Sequence, residues 1–389
     1  MRVLTVSEPG LDGVFRHVEA LVHYLIDQGV EVDLAWSSVR PSDELFALVE
    51  FVRANGGRDI DLHVGPRPGP ADALALARLW TLIHRRQPDV VHAHSSKAGG
   101  LVRLVAPCVS GPRLLYTPHA YFGLDGERDL RMRLFHAVES WLGSTCPTIH
   151  VSTDERDFGI ERFGLDPADC LVLEHGIDPD RFRPADPRRR AELRQNHGFA
   201  ETDLVIGAIG RIGPQKDYPT LYRALEPVLA AQESLRVLQV GRGPLAAEIR
   251  QLGQDLGIDE RIVRVDFLDR TEDFYHAVDL VVMASTYEAG IPYVALEAAA
   301  CGLPLALTRS PGLRTIEEHP FDAIEMAEVG DPKSVAEAIT SGLDRATRPN
   351  NHREVILEQF TQDQARQRVL ETYSSTLGRH GKGTVTLLS

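Results

Sequence analysis

The 389-residue sequence contains few cysteines, and none is arranged as a metal or redox site. Cys108, Cys146, Cys170 and Cys301 are scattered, without a C-x-x-C pair or the spacing of metal ligands. Such a pattern favours reduced thiols and a cytoplasmic protein over a secreted protein with disulfide bonds.

Leader and membrane-spanning patterns are also missing. The opening stretch MRVLTVSEPG enters a strand pattern at once, with no apolar leader and no cleavage site. The longest apolar-leaning stretch, near 289–307, contains Glu297 and two prolines, so we expect no transmembrane segment.

Basic residues are fewer than acidic ones. The sequence has 42 Lys and Arg against 56 Asp and Glu, which gives a formal net charge of −14. Proteins that bind nucleic acid carry an excess of basic residues, so no nucleic-acid partner is expected. The sequence also has no G-x-S-x-G elbow and no Walker phosphate loop, which removes the usual support for hydrolase and ATPase functions.

What is present is an alternation of short apolar runs with helical patterns, which is typical of parallel sheets covered on both faces. We predict two doubly wound α/β domains of the Rossmann type facing a cleft, residues 1–180 and 190–360. The proline-rich segment 175–190 is predicted to link them.

The last helical pattern, about 351–377, is long and polar, and the C-terminal helix at about 360–380 is a candidate to pack back on the first domain. The predicted strands are RVLTVS, VEVDLAW, DIDLHV, DVVHAH, RLLYTP, TIHVS, LVIGAIG, LRVLQVG, IVRVDF, DLVVMAS and LPLALT.

Ligands of doubly wound sheets bind beyond the carboxyl ends of the strands, so the residues that follow each strand are candidates. After the first strand, Gly10 and Gly13 permit a tight turn that could cradle a phosphate or leave room for a sugar. After LVIGAIG, Arg211 and Lys216 precede a helix and are candidates for a diphosphate clamp, although two solvated surface charges would give the same pattern. The turn at Gly241 and Gly243 fits a dinucleotide pattern loosely but lacks the later acidic residue, which leaves a mononucleotide as the alternative.

Histidines follow two other strands. His92 and His94 point to one face of a strand, and as a metal pair they lack a third ligand nearby in sequence, so no metal site is expected. His119 follows the next strand and could be catalytic or a structural hydrogen-bond donor.

The stretch STYEAGIPYVALEAAACGLP, residues 285–304, predicts a turn and a helix over 292–301, ended by Gly302 and Pro304. The N-terminal end of such a helix attracts anions. Glu288 and Glu297 lie on either side of this turn, and hydroxyl groups are natural partners for their carboxylates.

With these residues collected, the chain resembles the large family of retaining glycosyltransferases of GT-B type, glycosyltransferase family 4-like, that includes bacterial capsule, exopolysaccharide and lipid-sugar transferases. The resemblance covers nearly the whole chain. The motifs that carry it are the glycine loop with Arg16 and His17, PDVVHAHSSKAG, YTPHA, GRIGPQKDYPTL, VGRGPL and YEAGIPYVALEAAACGLPL.

The resemblance implies an enzyme that moves a sugar from a nucleotide-diphosphate sugar to an acceptor hydroxyl without a metal or other cofactor. The acceptor would be a sugar, a lipid-linked sugar or a small molecule. The implied catalytic residues are Arg211, Lys216, His119 and Glu288. The donor side would comprise Glu297 at the ribose, Gly13, Gly241, Gly243 and the turn Gly290, Ile291 and Pro292, and the acceptor or sugar side Arg16, His17 and His94.

Two departures from the family pattern concern Glu288 and His175. The family places seven residues between its glutamates, whereas eight separate Glu288 from Glu297. Either a one-residue bulge brings Glu288 into the site or that sugar contact is absent, and we favour the bulge because Gly290 makes one easy. His175 stands where relatives often have Asn. The alternatives are a sugar-nucleotide sensor or partner subunit without catalysis, and a GT-B sugar-nucleotide epimerase.

Segment 127–143 combines arginines with Leu130, Leu134 and Trp141 and could lie on an anionic membrane surface near a lipid-linked acceptor. The preferred interpretation is an ordinary core-packing helix with a basic outer face.

Overall fold

A computed structural model describes residues 1–10, 12–124 and 130–377, without the side chains of Asp12, Leu130 and Arg131. The described residues divide into two compact units: unit 1 comprises those within 1–174 and 365–377, and unit 2 comprises residues 175–364.

Unit 1 is built on a seven-stranded parallel sheet in the order β3-β2-β1-β4-β5-β6-β7. Its central strands are buried on both faces, which explains why they read as continuous apolar runs. The strands are β1 (Arg2–Ser7), β2 (Glu31–Trp36), β3 (Asp59–Asp61), β4 (Val90–His94), β5 (Arg113–Thr117), β6 (Thr148–His150) and β7 (Cys170–Val172).

The helices of unit 1 cover this sheet. Along α1, Val18, Leu21, Val22 and Leu25 form one buried stripe, as a helical period requires. The helices are α1 (Asp12–Asp27), α2 (Asp43–Ala54), α3 (Ala71–Arg86), α4 (Ser96–Val105), α5 (Leu130–Leu142) and α6 (Thr153–Phe163).

Unit 2 contains a six-stranded parallel sheet in the order β10-β9-β8-β11-β12-β13, the same winding as unit 1 with one strand fewer. The strands are β8 (Leu204–Ile209), β9 (Leu235–Val240), β10 (Ile262–Val265), β11 (Leu280–Met283), β12 (Leu305–Thr308) and β13 (Ile324–Ala327). The helices are α7 (Pro187–Asn196), α8 (Tyr218–Ala231), α9 (Ala246–Asp255), α10 (Glu272–Ala277), α11 (Tyr293–Ala300), α12 (Pro332–Arg345), α13 (His352–Gln359) and α14 (Gln362–Leu377), the last of which continues into unit 1.

The predicted fold class is confirmed, because both sheets are parallel, doubly wound and flanked by helices. Every predicted strand is present, and the two strands that the sequence did not predict, β7 and β13, are the outer strands of their sheets. Both are short and partly exposed, so neither carries a long apolar run.

The segment 175–190 differs from the predicted linker. Residues from Pro187 onward form the first turn of α7, which packs on α10. Arg190 lies 2.5 Å from Asp279 and Arg189 lies 2.8 Å from Asp273, so the charge cluster is fastened to unit 2.

The long C-terminal helical pattern is broken at residues 360 and 361 into α13 and α14. Thr361 Oγ1 accepts from the backbone N–H of Gln364, and Oε1 of Gln364 accepts from the N–H of Thr361. This reciprocal capping box begins a new helix. Val369 and Tyr373 of α14 then lie in the core of unit 1.

None of the helices in the described ranges combines the length and apolar character that crossing a bilayer requires. Residues 127–129 of the proposed membrane-surface segment lie outside the described residues.

Candidate functional site

In unit 2 the strand order reverses between β8 and β11, the place where a doubly wound sheet forms a crevice at its carboxyl edge. The loops that leave these two strands contain several of the predicted site residues. Arg211 and Lys216 follow β8, and Glu288 follows β11.

Lys216 and Glu288 are in direct contact across these loops. The ammonium of Lys216 lies 2.5 Å from Oε1 of Glu288, and both side chains are largely buried. The amide of Gln215 donates to Oε2 of Glu288 at 3.3 Å and to the carbonyl oxygen of Tyr287 at 3.0 Å. The backbone of Thr286 donates to the carbonyl oxygen of Gln215 at 2.8 Å, which joins the two loops.

Arg211 lies in the same loop after β8, five residues before Lys216, and has a different environment. Arg211 is exposed to solvent, and its side chain makes no ion pair with any residue that the structure describes. A cation in this position is available to an anion, whereas Lys216 is already neutralised by Glu288.

Gly241 and Gly243 hold the Arg211 loop through close backbone packing. A Cβ at Gly241 would lie 2.0 Å from the carbonyl oxygen of Gly210, and one at Gly243 would lie 2.2 Å from that of Ile212. The φ of Gly241 is 138°, a conformation that side chains disfavour. These glycines therefore set the position of the loop that carries Arg211.

Glu297 lies within α11 and is almost fully buried. The hydroxyl of Tyr275 donates to its Oε2 at 2.5 Å. A buried carboxylate requires partners, so this bond fixes one oxygen of Glu297 in place.

The turn before α11 contains Gly290, Ile291 and Pro292, which the resemblance assigns to the donor. The helix begins at Tyr293, one residue later than predicted, with Pro292 as its cap. Ile291 is packed in the core, and Pro292 has no N–H to donate. The neighbouring loop closes on this turn, since the N–H of Glu288 donates to Pro311 at 2.8 Å and a Cβ at Gly312 would lie 2.1 Å from the carbonyl oxygen of Glu288.

Unit 1 has its own switch point between β1 and β4. Three imidazoles meet there: His17 from α1, His94 from the end of β4 and His119 from the loop after β5. We call these the histidine cluster. Nδ1 of His94 lies 3.1 Å from Nε2 of His119, and one ring nitrogen of each residue lies within 4.8 Å of the others.

His92 packs against the histidine cluster through His94. Its ring centroid lies 4.0 Å from that of His94. Nδ1 of His92 contacts the Tyr373 hydroxyl at 2.7 Å, and Nε2 contacts Oγ1 of Thr117 at 2.8 Å. Both ring nitrogens have partners, so His92 has a structural role.

Glu155 holds the loop that carries His119. Its Oε1 accepts from the backbone of Ala120 at 2.6 Å and its Oε2 from that of Val151 at 2.9 Å. The φ angles of His119 and Ala120 are 55° and 90°, and residues with side chains keep such values only when their surroundings enforce them.

Burial shapes the charge of these groups. It lowers the pKa of His17 to about 4, with the Arg366 charge acting in the same direction. Burial, with the neighbouring imidazoles, lowers the pKa of His94 well below its ordinary value, and burial raises that of Glu155 to about 7. The imidazoles of His17 and His94 are therefore neutral at pH 7.

The remaining predicted residues of unit 1 lie at the start of α1. Gly13 is exposed, and the space where a Cβ would project is open. Arg16 lies one residue before His17 and is partly buried.

Sequence reasoning missed the residues that hold the site residues in place. Gln215, Tyr275, Glu155 and Tyr373 each contact a predicted residue or its neighbour. Only Gln215 gave a local signal, because it stands beside Lys216 in the strand-end loop.

Two family models match the chain: Glycosyltransferase Family 4 over residues 11–181 and Glycosyl transferases group 1 over residues 203–345. A D-inositol 3-phosphate glycosyltransferase of Geodermatophilus obscurus is 31% identical over 371 residues, 87% of this chain and 80% of the relative. The UDP-Gal:alpha-D-GlcNAc-diphosphoundecaprenol alpha-1,3-galactosyltransferase of Escherichia coli is 25% identical over 70% of this chain and 71% of its own.

Solved structures show the same fold. The crystal structure of Anabaena HepE in complex with UDP matches with a TM-score of 0.81 at 19% identity, over 96% of this chain and all of that one. Sucrose-phosphate synthase from Thermosynechococcus elongatus matches with a TM-score of 0.76 at 18% identity, over 97% and 99% of the two chains. The chain thus belongs to the family 4-like glycosyltransferases of GT-B fold, which use a nucleotide-sugar donor.

Proposed function

We propose that the protein is a retaining glycosyltransferase that moves a sugar from a nucleotide-diphosphate sugar to an acceptor hydroxyl, in polysaccharide, glycolipid or glycoside biosynthesis. The observation that carries the proposal is the grouping of Arg211, Lys216 and Glu288 at the switch point of unit 2. Two cations and a carboxylate at this edge fit a sugar diphosphate, whose two parts are an anion and a set of hydroxyl groups.

The role of Arg211 and Lys216 is to stabilise the leaving group. As the bond between the sugar and the diphosphate breaks, negative charge grows on the phosphate oxygen, and fixed cations favour that charge. Each is expected to contribute about 2–4 kcal/mol to the transition state, by analogy with other preorganised donors. With these cations in place the transfer needs no metal ion at the diphosphate.

Glu297 and Glu288 are assigned to hydroxyl groups. Glu297 is buried, and Tyr275 fixes one of its oxygens, which suits a selective contact with the two hydroxyls of a ribose. Glu288 lies next to the cation that would hold the phosphate, so we assign it to the sugar. The retaining outcome then follows from an acceptor hydroxyl attacking on the side of the departing phosphate, which takes its proton.

The acceptor or sugar side is assigned to unit 1, to the histidine cluster and Arg16. Neutral imidazoles both donate and accept hydrogen bonds, as recognition of sugar hydroxyls requires. His119 is assigned to the sugar, because Glu155 holds the backbone of its loop in a conformation with positive φ angles and so fixes where the ring lies.

A lipid-linked acceptor is supported by one face of α5. Leu134 is 68% exposed, Val138 is 39% exposed and Trp141 is 70% exposed, and their spacing places them on one side of the helix. The opposite side is fixed by Glu139, which pairs with the buried Arg103 at 2.8 Å. The helix also packs on the core through Met132 and Leu142, as the preferred interpretation expected, but its outer face carries Leu134 and Trp141.

We propose that this α5 face rests on an anionic bilayer, with the exposed Arg133 beside it. The test is co-sedimentation with vesicles of phosphatidylcholine and phosphatidylglycerol. A double variant Leu134→Ser, Trp141→Ser is expected to lose most of the pelleted fraction, whereas the matched surface variant Leu74→Ser, Leu104→Ser on α3 and α4 keeps it. Equal pelleting of both double variants, or failure of the wild type to pellet, would overturn the membrane contact.

The donor is tested by thermal unfolding with a panel of nucleoside diphosphates and sugar nucleotides, with and without EDTA. A ligand at 100 times its dissociation constant adds about 2.7 kcal/mol of stability, a shift that is readily measured. One nucleoside diphosphate is expected to stabilise the protein in both conditions. Stabilisation only in the presence of metal would contradict the cation clamp.

The alternative functions are separated by turnover. A transferase releases nucleoside diphosphate when donor and acceptor are both present, a sensor or partner subunit binds without release, and an epimerase changes the donor without an acceptor. The epimerase is disfavoured by the grouping of Arg211, Lys216 and the two glutamates.

A further inference from the structure

The histidine cluster has the dimensions of a metal site. The ring centroids are 5.5 Å apart for His17 and His94, 4.9 Å for His17 and His119, and 5.4 Å for His94 and His119. Three imidazoles bound to one tetrahedral Zn²⁺ at about 2.0–2.1 Å would place their centroids about 5 Å apart. The three separations in the structure are nearly equal and close to that value.

The contact between His94 and His119 fits the same arrangement. Nitrogens on a tetrahedral ion are about 3.3 Å apart, and Nδ1 of His94 lies 3.1 Å from Nε2 of His119. A hydrogen bond between these two nitrogens would also account for their distance, but it would not account for the similar distances of the His17 ring from both other rings.

The supporting structure fixes the orientation of the rings. His94 is fully buried at the end of β4, and its ring packs at a tilt of 44° against His92, which Thr117 and Tyr373 anchor. Glu155 fixes the backbone beside His119 in a conformation that its side chain disfavours. Metal affinity depends on such second-layer contacts, which hold ligands in place before the ion arrives.

An ion could also reach the site. His17 and His119 are only partly buried, whereas His94 lies beneath them. Three protein ligands leave the fourth position of a zinc ion open. The described cluster contains no carboxylate, so an anionic oxygen such as hydroxide or an oxyanion is the ligand that would best complete the site.

We propose that His17, His94 and His119 form a binding site for one divalent first-row transition ion, Zn²⁺ above all, with a fourth position open to an oxygen ligand. All three ligands belong to unit 1, and a bound ion would take the place of the direct imidazole contacts to sugar hydroxyls proposed above. Ion binding is measured without a sugar nucleotide, so failure of this proposal is distinguishable from failure of the proposed function.

The test uses the full chain, freed of metal with EDTA and dialysed. Co²⁺ is titrated by visible absorption, which detects four-coordinate Co²⁺ directly, and Zn²⁺ is then used to displace it. We expect saturation at one equivalent. Since even outer partners of metal ligands are worth 10–100-fold in affinity, His17→Gln and His119→Gln should each weaken binding by about 100-fold or more.

Two control variants guard against binding elsewhere. His84→Gln removes an exposed histidine of the same unit, and Cys108→Ser removes the exposed thiol, and both should bind Co²⁺ as the wild type does. Thermal unfolding in EDTA establishes that each variant is folded. The proposal is overturned if the wild type shows no saturable one-equivalent binding, or if a folded His17→Gln or His119→Gln variant binds with unchanged affinity.

Discussion

The ammonium of Lys216 lies 2.5 Å from Oε1 of Glu288, although the two residues are 72 positions apart in sequence. The proposed diphosphate-binding cation is therefore already paired with the proposed sugar-binding carboxylate. A phosphate that approaches Lys216 competes with Glu288, and a sugar hydroxyl that approaches Glu288 competes with Lys216. The intact donor would provide a phosphate for Lys216 and a sugar hydroxyl for Glu288 at the same time. A phosphate or a sugar alone would provide a partner for only one of the two side chains.

The two cations of the clamp should be needed for turnover. Arg211→Ala and Lys216→Ala are each expected to lower kcat/KM by about 30- to 1000-fold, the equivalent of 2–4 kcal/mol of lost leaving-group stabilisation. The comparison is with Arg223→Ala, which removes an exposed arginine from α8. Steady-state release of nucleoside diphosphate is the measurement. A loss of less than threefold in Arg211→Ala would remove Arg211 from the mechanism.

Glu288→Gln should separate diphosphate binding from transfer. The substitution keeps the shape of the side chain and removes its charge, so Lys216 becomes available to the phosphates. We expect nucleoside diphosphate to bind about 3- to 10-fold more tightly, because one charged hydrogen bond no longer competes, while turnover falls at least tenfold. Calorimetry and initial rates measure the two effects. Weaker nucleotide binding would mean that Glu288 holds Lys216 in place instead of competing for it.

Glu297→Gln should weaken recognition of the ribose but not of the phosphates. The amide oxygen can still accept from Tyr275, so the fold is expected to survive the change. Loss of charge-assisted bonds to hydroxyls should weaken nucleoside diphosphate by about 10- to 150-fold. Inorganic pyrophosphate, which has no ribose, should bind with an affinity within about threefold of the wild type. An equal loss for both ligands would show that Glu297 supports the whole site rather than the ribose.

The stability of unit 1 should fall in acid, in part through His150. Burial lowers the pKa of His150 to about 4, and the neutral ring contacts the Tyr121 hydroxyl at 3.2 Å and the Leu171 carbonyl oxygen at 3.3 Å. The folded pKa is below the unfolded value of 6.5, so this contribution is complete above pH 6.5 and is lost as the pH falls toward 4. At pH 5 the loss is about 2 kcal/mol.

Urea denaturation at pH 7.5 and pH 5.0 measures this effect as a double difference. His150→Gln cannot gain a proton, so its free energy of unfolding should change less between the two pH values than that of the wild type. Other groups, including Glu155 with its opposite sign, titrate in both proteins and cancel. His84→Gln should behave as the wild type, and an identical pH response in His150→Gln would contradict the assignment.

The fold could be predicted because buried parallel strands carry continuous apolar runs. The edge strands β7 and β13 escaped prediction because both are short and partly exposed, so neither carries a long apolar run. The break at Thr361 was available in principle, since Thr361 and Gln364 have the spacing of a capping box, but the surrounding helical period obscured it.

The sites were harder to predict because their residues come from separate strand ends. The spacing of His92 and His94 offers no third ligand nearby in sequence, whereas the fold brings His17 and His119 to His94. Since β1, β4 and β5 are adjacent in the sheet, three segments meet at one edge: the first part of α1 with His17, the end of β4 with His94 and the loop after β5 with His119. The supporting contacts of Tyr275, Glu155 and Tyr373 depend on side-chain packing, which no local pattern encodes.

The chain enters and leaves unit 2 at one place. Ile177 donates to the carbonyl oxygen of Phe360 at 2.9 Å and accepts from the N–H of Gln362 at 2.8 Å, while a Cβ at Gly176 would lie 2.4 Å from the carbonyl oxygen of Thr361. Residues 175–364 therefore form an insertion in the sequence of unit 1 whose two ends are held together by backbone hydrogen bonds. The corresponding unit of a relative should be exchangeable at these two junctions, provided that it has a glycine at the position of Gly176 and two extended ends that can pair.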